Sequence, residues 1–282
     1  MSRLMFRSAP SAALSQFVGC FWYCEGAPVT HSKERLMPTG EACIIFNLRD
    51  DPIRVYDWES PNRFETFGQA VLSGARSEPF VIDTLQQERV FGIQFRPGGS
   101  FPFFRMPSSD VVNSDLSLDC TWCDAASSMR DRLIEADSFP AMLAVAQDAL
   151  MRQLVRPLEL HPAVAFATRR FSTNPHTTTV ATVLDAIGLS HRRFSQLFQD
   201  QTGLTPKAFC RVRRFQRVLH CIRARQEAEW TQIALDCGYY DQAHFIHDFQ
   251  SFSGFTPTGY TASFFRYDSK NEHINHVPLT EA

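Results

Sequence analysis

With 282 residues, 44% of them apolar and 21% charged, the chain exceeds one typical domain and is too hydrophobic for a disordered polymer, so two globular domains are expected. A net charge of −2 excludes a uniformly basic coat, and no apolar stretch approaches a membrane span or an export signal, which points to a cytoplasmic protein with no membrane partner. Eight cysteines spread over this length read as reduced thiols rather than as a disulfide framework.

The predicted fold class is α+β. Residues 1–118 read as a β-barrel or sandwich-like domain. Short apolar runs such as Gly19–Cys24, Ala42–Asn47 and Val90–Phe95 alternate there with clusters of Pro, Gly, Asn and Asp. Residues 119–156 change to helical period, with Met129, Leu133, Met142, Leu143, Val145, Ala146, Leu150 and Leu154 at separations compatible with amphipathic helices, and form a helical bridge. Arg156-Pro157 and His161-Pro162 interrupt it, so an all-α domain is placed at 157–267, and the polar residues 268–282 read as a flexible, frayed tail.

The charge is segregated. Residues 161–267 carry an excess of about five positive charges, concentrated between Arg192 and Arg225, a field suited to a polyphosphate. The same region repeats itself at an offset of 51 residues. Phe194, Phe198, Gln199, Gly203, Thr205-Pro206 and Phe209 correspond to Phe245, Phe249, Gln250, Gly254, Thr256-Pro257 and Tyr260. Each copy reads as helix, turn, second helix, glycine stop and Thr-Pro restart, which is a helix-turn-helix followed by a further helix.

In the first copy Gly188 makes the turn and Ser190 caps the second helix, whose outward stripe is Arg192, Ser195, Gln196 and Gln199. In the second copy Gly238 makes the turn, Asp241 is the cap, and the stripe is Gln242, Ala243, Ile246, His247 and Gln250. Arg pairs with guanine, Gln with adenine, and Ala243 or Ile246 suits a thymine methyl. His247 reads either as a neutral hydrogen-bonding group or as one that raises affinity at low pH. The phenylalanines at helical spacing are assigned to the core. A long helix from Pro206 to Arg225 joins the copies, with Arg211, Arg213, Arg214 and Arg217 around its polar side; Arg193, Lys207 and Arg214 are assigned to phosphates.

These residues resemble the AraC/XylS family of regulators over about His161 to Phe265, most specifically in Ile233–Gln250 and in the two Gly-x-Thr-Pro endings. Leu184, His247, Gln199 and Gln250 depart from the family pattern. The resemblance implies a sequence-specific transcription regulator on double-stranded DNA, with RNA polymerase, a small-molecule effector and a second copy of the chain as candidate partners. Activation and repression both stay open. Residues 37–41, 44–48, Gly68 and 92–99 are similar to a β-rich sensor domain in one branch of the family, which implies an effector pocket, with Trp22, Phe46, Gln94 and Arg96 as candidate lining. Arg96 reads equally as a structural arginine bonding loop carbonyls.

Rival readings are a zinc- and cysteine-dependent protein that repairs alkylated DNA, suggested by Cys20/Cys24 and Cys120/Cys123, and a metal-dependent barrel enzyme. The cysteine pairs lie far apart in sequence, and His31 is the single histidine before residue 161, so the expectation is no catalytic residue, no metal and no cofactor. Packed thiols are the preferred reading, and a redox role for Cys120 and Cys123 stays open.

Overall fold

A computed structural model describes residues 4–26, 32–224, 229–267 and 275–279, with the side chains of 264–267 left aside. The N-terminal part holds two antiparallel sheets facing one another without closing into a barrel. The strands are β1 (Leu4–Ser8), β2 (Val18–Glu25), β3 (Lys33–Leu36), β4 (Cys43–Asn47), β5 (Ile53–Tyr56), β6 (Phe64–Phe67), β7 (Ala70–Ser73), β8 (Phe80–Asp83), β9 (Arg89–Phe95) and β10 (Asp115–Ser117). One sheet runs β1-β2-β9-β4-β7-β10. The other begins with β11 (His276–Leu279) and runs β11-β3-β8-β5-β6.

Period-2 alternation gives the first sheet two apolar faces. Phe21, Ile44, Phe46, Leu72, Phe91 and Ile93 point away from the second sheet and build a core with helices of the bridge, α1 (Asp119–Trp122), α2 (Asp124–Glu135) and α3 (Phe139–Arg152). Trp22, Ile45, Val71 and Gln94, one residue out of step, point toward the second sheet.

The C-terminal part is helical: α4 (Pro162–Thr173), α5 (Val180–Ile187), α6 (His191–Thr202), α7 (Pro206–Ala224), α8 (Trp230–Asp236), α9 (Gln242–Ser253) and α10 (Pro257–Tyr267). The sequence repeat is a spatial repeat. Phe198 and Phe209 have ring centroids 5.6 Å apart, and their counterparts Phe249 and Tyr260 lie 5.5 Å apart. Thr202 Oγ1 donates to the Phe198 carbonyl at 2.7 Å, and Ser253 Oγ does the same to Phe249 at 2.6 Å. Thr205 and Thr256 each accept a backbone N–H of the following helix at 3.1 Å, and each is followed by a proline at the first helical position.

The tail departs from expectation. His276–Leu279, within the segment read as frayed, pairs antiparallel with β3 and buries Val277; the flanking residues 268–274 and 280–282 lie outside the described ones. Four residues are too few to register as a period, yet enough to cover an open sheet edge, and Pro278 is compatible with that edge position.

The two parts share a core. Met37, Ala75 and Val277 from the β-rich part are buried in the same cluster as Phe209, Val212 and Phe215 of α7. Burying such side chains contributes at most about 1.5–3 kcal/mol each.

Candidate nucleic-acid interface and cavity

Two helices carry the residues assigned to DNA. On α6, Ser190 Oγ accepts the Arg193 N–H at 3.3 Å, and Gly188 before it adopts a left-handed conformation, φ 66°, that ends α5. The cap fixes the start of α6, so Arg192, Arg193 and Gln196 stand exposed at its N-terminal half, while Ser195 and Gln199 are half-buried. Gln196 Nε2 donates to Asp200 Oδ1 at 2.8 Å, an exposed contact that a base edge can replace.

On α9, Asp241 Oδ1 accepts the His244 N–H at 2.7 Å. Gln242, Ala243, His247 and Gln250 are exposed, and Tyr240 in the preceding turn is 88% exposed. Ile246 is turned partly into the core, so of the two apolar residues of this stripe Ala243 is the exposed one. Tyr240 and His244, also exposed here, were missed by spacing because they lie beside the stripe rather than on it.

On the joining helix Lys207 is exposed, whereas Arg214, assigned with it to phosphates, is half-buried: it lies over the ring of Tyr239, 5.3 Å from its centroid, with a buried Nε. Its neighbours are engaged as well. Arg211 Nη2 donates to Asp248 Oδ1 of α9 at 2.6 Å, and Arg213 Nη1 donates to Glu41 Oε1 of the β-rich part at 3.0 Å. The Asp248 hydrogen bond holds the Arg211 guanidinium above its ordinary pKa. Because α7 lies between the second unit and the β-rich part, its polar side meets protein, and long arginine stems carry their heads to carboxylates and rings.

Between the two sheets is a cavity of about 250 Å³. Trp22 and Gln94 line it. Phe46 and Arg96, assigned with them, do not: Phe46 is fully buried on the opposite face of the sheet, and Arg96 Nε donates to the Ser15 carbonyl at 2.8 Å, the loop-carbonyl alternative. Alternation is the reason, since β4 sends Cys43, Ile45 and Asn47 inward and Phe46 outward. The Trp22 indole occupies the space over Gly92, where an added Cβ would come within 2.0 Å of the ring, so β9 needs glycine there.

Several of the charged groups that line the cavity are partnered. Glu34 meets His276 at 2.8 Å, Arg76 pairs with Asp115, and Glu41 takes Arg213 on one oxygen and Gln94 Nε2 on the other, at 3.2 Å. Arg76 Nε is left as a buried donor with no acceptor. Burial pushes the Glu41 carboxyl above the usual carboxylate range, against the pull of Arg213 and Gln94.

From this cavity the segment Met37–Glu41 leads directly to α7. Gln216 Nε2 donates to the Pro38 carbonyl and to Asn275 Oδ1, both at 2.8 Å, and Arg213 also reaches the Thr39 carbonyl at 3.4 Å. The β-rich part also touches the ends of both reading helices. Ser108 Oγ donates to the Gln201 carbonyl at 3.1 Å, and Arg35 Nη1 to the Ser253 carbonyl at 3.3 Å.

Among the described residues no three His, Cys, Asp or Glu side chains gather as a metal site. Cys20 and Cys24 lie on β2, whereas Cys120 and Cys123 are exposed on and just after α1. No described helix is long and apolar enough to cross a membrane.

Residues 183–263 match a family described as a helix-turn-helix domain, and residues 6–117 match a domain of unknown function, DUF6597. No curated protein matches the chain. Among solved structures, it is similar to ToxT from Vibrio cholerae O395, at 8% identity and TM-score 0.44, covering 92% of this chain and 96% of that one. An apo variant of ToxT from Vibrio cholerae strain SCE256 gives 11% identity and TM-score 0.46, covering 92% and 97%. Wild-type ToxT of that strain bound to unsaturated fatty acid gives 9% and 0.43, covering 92% and 94%.

Proposed function

From the premise that the chain carries an AraC-type helix-turn-helix domain at residues 183–263, we propose that it is a cytoplasmic regulator of transcription that reads two successive major-groove segments. Arg192, Ser195, Gln196 and Gln199 read one segment. Gln242, Ala243, His247 and Gln250 read the next, with Ile246 at their margin. Arg193 and Lys207 hold phosphates. The observation that carries this is the pair of capped helices, repeated 51 residues apart on one aromatic core, each with an exposed N-terminal edge of base-reading side chains. Two such helices on one face of B-DNA read segments roughly one helical turn apart.

Selection of duplexes from a randomised pool by the purified full chain tests it. The expected outcome is a bipartite sequence with its two parts about 10 base pairs apart. Failure to enrich any sequence overturns it.

The β-rich part is the sensor. A small molecule, largely apolar and with an acceptor oxygen for Arg76 Nε, occupies the cavity against Trp22. It works through Gln94 and Glu41 on Arg213. A ligand regulates only if it binds two arrangements of the domains unequally, and the Glu41–Arg213 and Pro38–Gln216 contacts are the ones an occupant beside Gln94 would alter. A thermal-shift screen followed by DNA affinity with each hit tests this. A hit that stabilises the protein and leaves DNA affinity unchanged goes against regulation through the cavity. RNA polymerase and a second copy of the chain remain proposed partners, without assigned surfaces.

A further inference from the structure

Cys221 on α7 and Cys237, directly after α8, bring their sulfur atoms to 3.9 Å. Both are free thiols; Cys221 is partly exposed and Cys237 is fully buried. Arg217, one turn before Cys221, places its guanidinium beside Cys237. The two residues that follow are tightly held. Gly238 has φ +79°, and an added Cβ would come within 2.5 Å of the His176 carbonyl; Tyr239 is buried beneath Arg214. A displacement of Cys237 therefore passes along Gly238–Asp241 into the N-terminus of α9.

We propose that Cys221 and Cys237 form a dithiol that hydrogen peroxide oxidises to a disulfide, shifting the turn of the second helix-turn-helix unit and lowering its affinity for DNA. The effect on DNA rests on the proposed function; formation of the bond does not. The Cys221 thiolate attacks one peroxide oxygen, the O–O bond breaks, and the departing hydroxide takes up a proton, giving a sulfenic acid and one water. The Cys237 sulfur then displaces hydroxide from the Cys221 sulfur, its own proton leaving with that hydroxide as a second water. Two electrons from the thiol pair reduce one peroxide. Burial, with Cys221 as the second cause, pushes the Cys237 thiol up to about 12, so the accessible Cys221 meets the oxidant first and Cys237 resolves it.

The test treats the full chain with hydrogen peroxide, blocks remaining thiols, and identifies linked peptides by mass spectrometry. The expected result is a Cys221–Cys237 crosslink, absent in Cys221→Ser and retained in the double variant Cys120→Ser, Cys123→Ser. Affinity for a selected duplex should fall at least about fivefold and return with dithiothreitol. Absence of the crosslink overturns the proposal even if no duplex has been found. A crosslink that leaves affinity unchanged, or an equal loss in Cys221→Ser, overturns its regulatory half.

Discussion

Arg211 and Asp248 join the central helix to the second reading helix: Nη2 of the arginine lies 2.6 Å from Oδ1 of the aspartate, and its Nε reaches Oδ2 at 3.4 Å. The Asp248 side chain is almost completely buried, 2% exposed, while the Arg211 side chain is 35% exposed. Deletion of the two partners is therefore unequal. Arg211→Met leaves the buried carboxylate without its guanidinium, beside the ring nitrogens of His244 at 3.8 Å and His247 at 4.0 Å, and should cost about 3–5 kcal/mol. Asp248→Ala leaves an arginine that reaches solvent, and should cost about 1–2 kcal/mol. Urea unfolding of both variants measures the difference; equal losses would contradict the asymmetry.

That pair also marks the limit of what the amino-acid pattern discloses. The 51-residue repeat is legible because its core positions, caps and glycine stops are local chemistry, and each reappears as an equivalent contact. Arg211, Arg213, Arg214 and Arg217 read as a basic surface because helical period separates apolar from charged faces. It does not say whether the charged face meets water, DNA or another part of the chain. Glu41 and Asp248, which decide two of those fates, lie 172 and 37 residues away. The same limitation misplaced Phe46. An aromatic in a strand with both faces apolar has no sequence mark for which face holds the cavity, and the helices α2 and α3 had to be docked before that was decided.

Arg192 and Lys207 separate base reading from phosphate holding. Arg192→Ala should lose about 1–3 kcal/mol against the preferred sequence and relax selectivity at one base position. Lys207→Ala should weaken all sequences alike and reduce the slope of log affinity against log salt by about one. Binding titrations on the selected duplex and its single-base variants, at several salt concentrations, measure both. Unchanged base preference in Arg192→Ala removes that residue from the reading set.

Ile45 projects from β4 into the space between the sheets, so enlarging it fills the cavity from a strand other than the Met37–Glu41 segment that leads to α7. Ile45→Phe should abolish the thermal shift given by any cavity ligand and leave DNA affinity without ligand within about twofold, at an overpacking cost of about 1–3 kcal/mol. A variant that keeps the full ligand response shows the molecule to be bound elsewhere.

Glu41 gives the docking of the two parts a pH dependence whose sign is fixed by its burial. Its carboxyl titrates above the ordinary value of 4.5 because removal from water outweighs Arg213 and Gln94. The folded, docked state therefore binds this proton more tightly than the unfolded chain does. The resulting stabilisation is complete below the ordinary carboxylate pKa and is lost as pH rises through the raised one. Glu41→Gln, an uncharged mimic of the protonated group that keeps an oxygen for Arg213, should lack this contribution. Thermal unfolding of wild type and variant across that interval should show wild-type stability falling relative to the variant as pH increases, with no further divergence once Glu41 is fully ionised. If the relative stability instead moves the other way, the Arg213 ion pair outweighs the loss of water, and Glu41 holds α7 more strongly as an anion than as an acid.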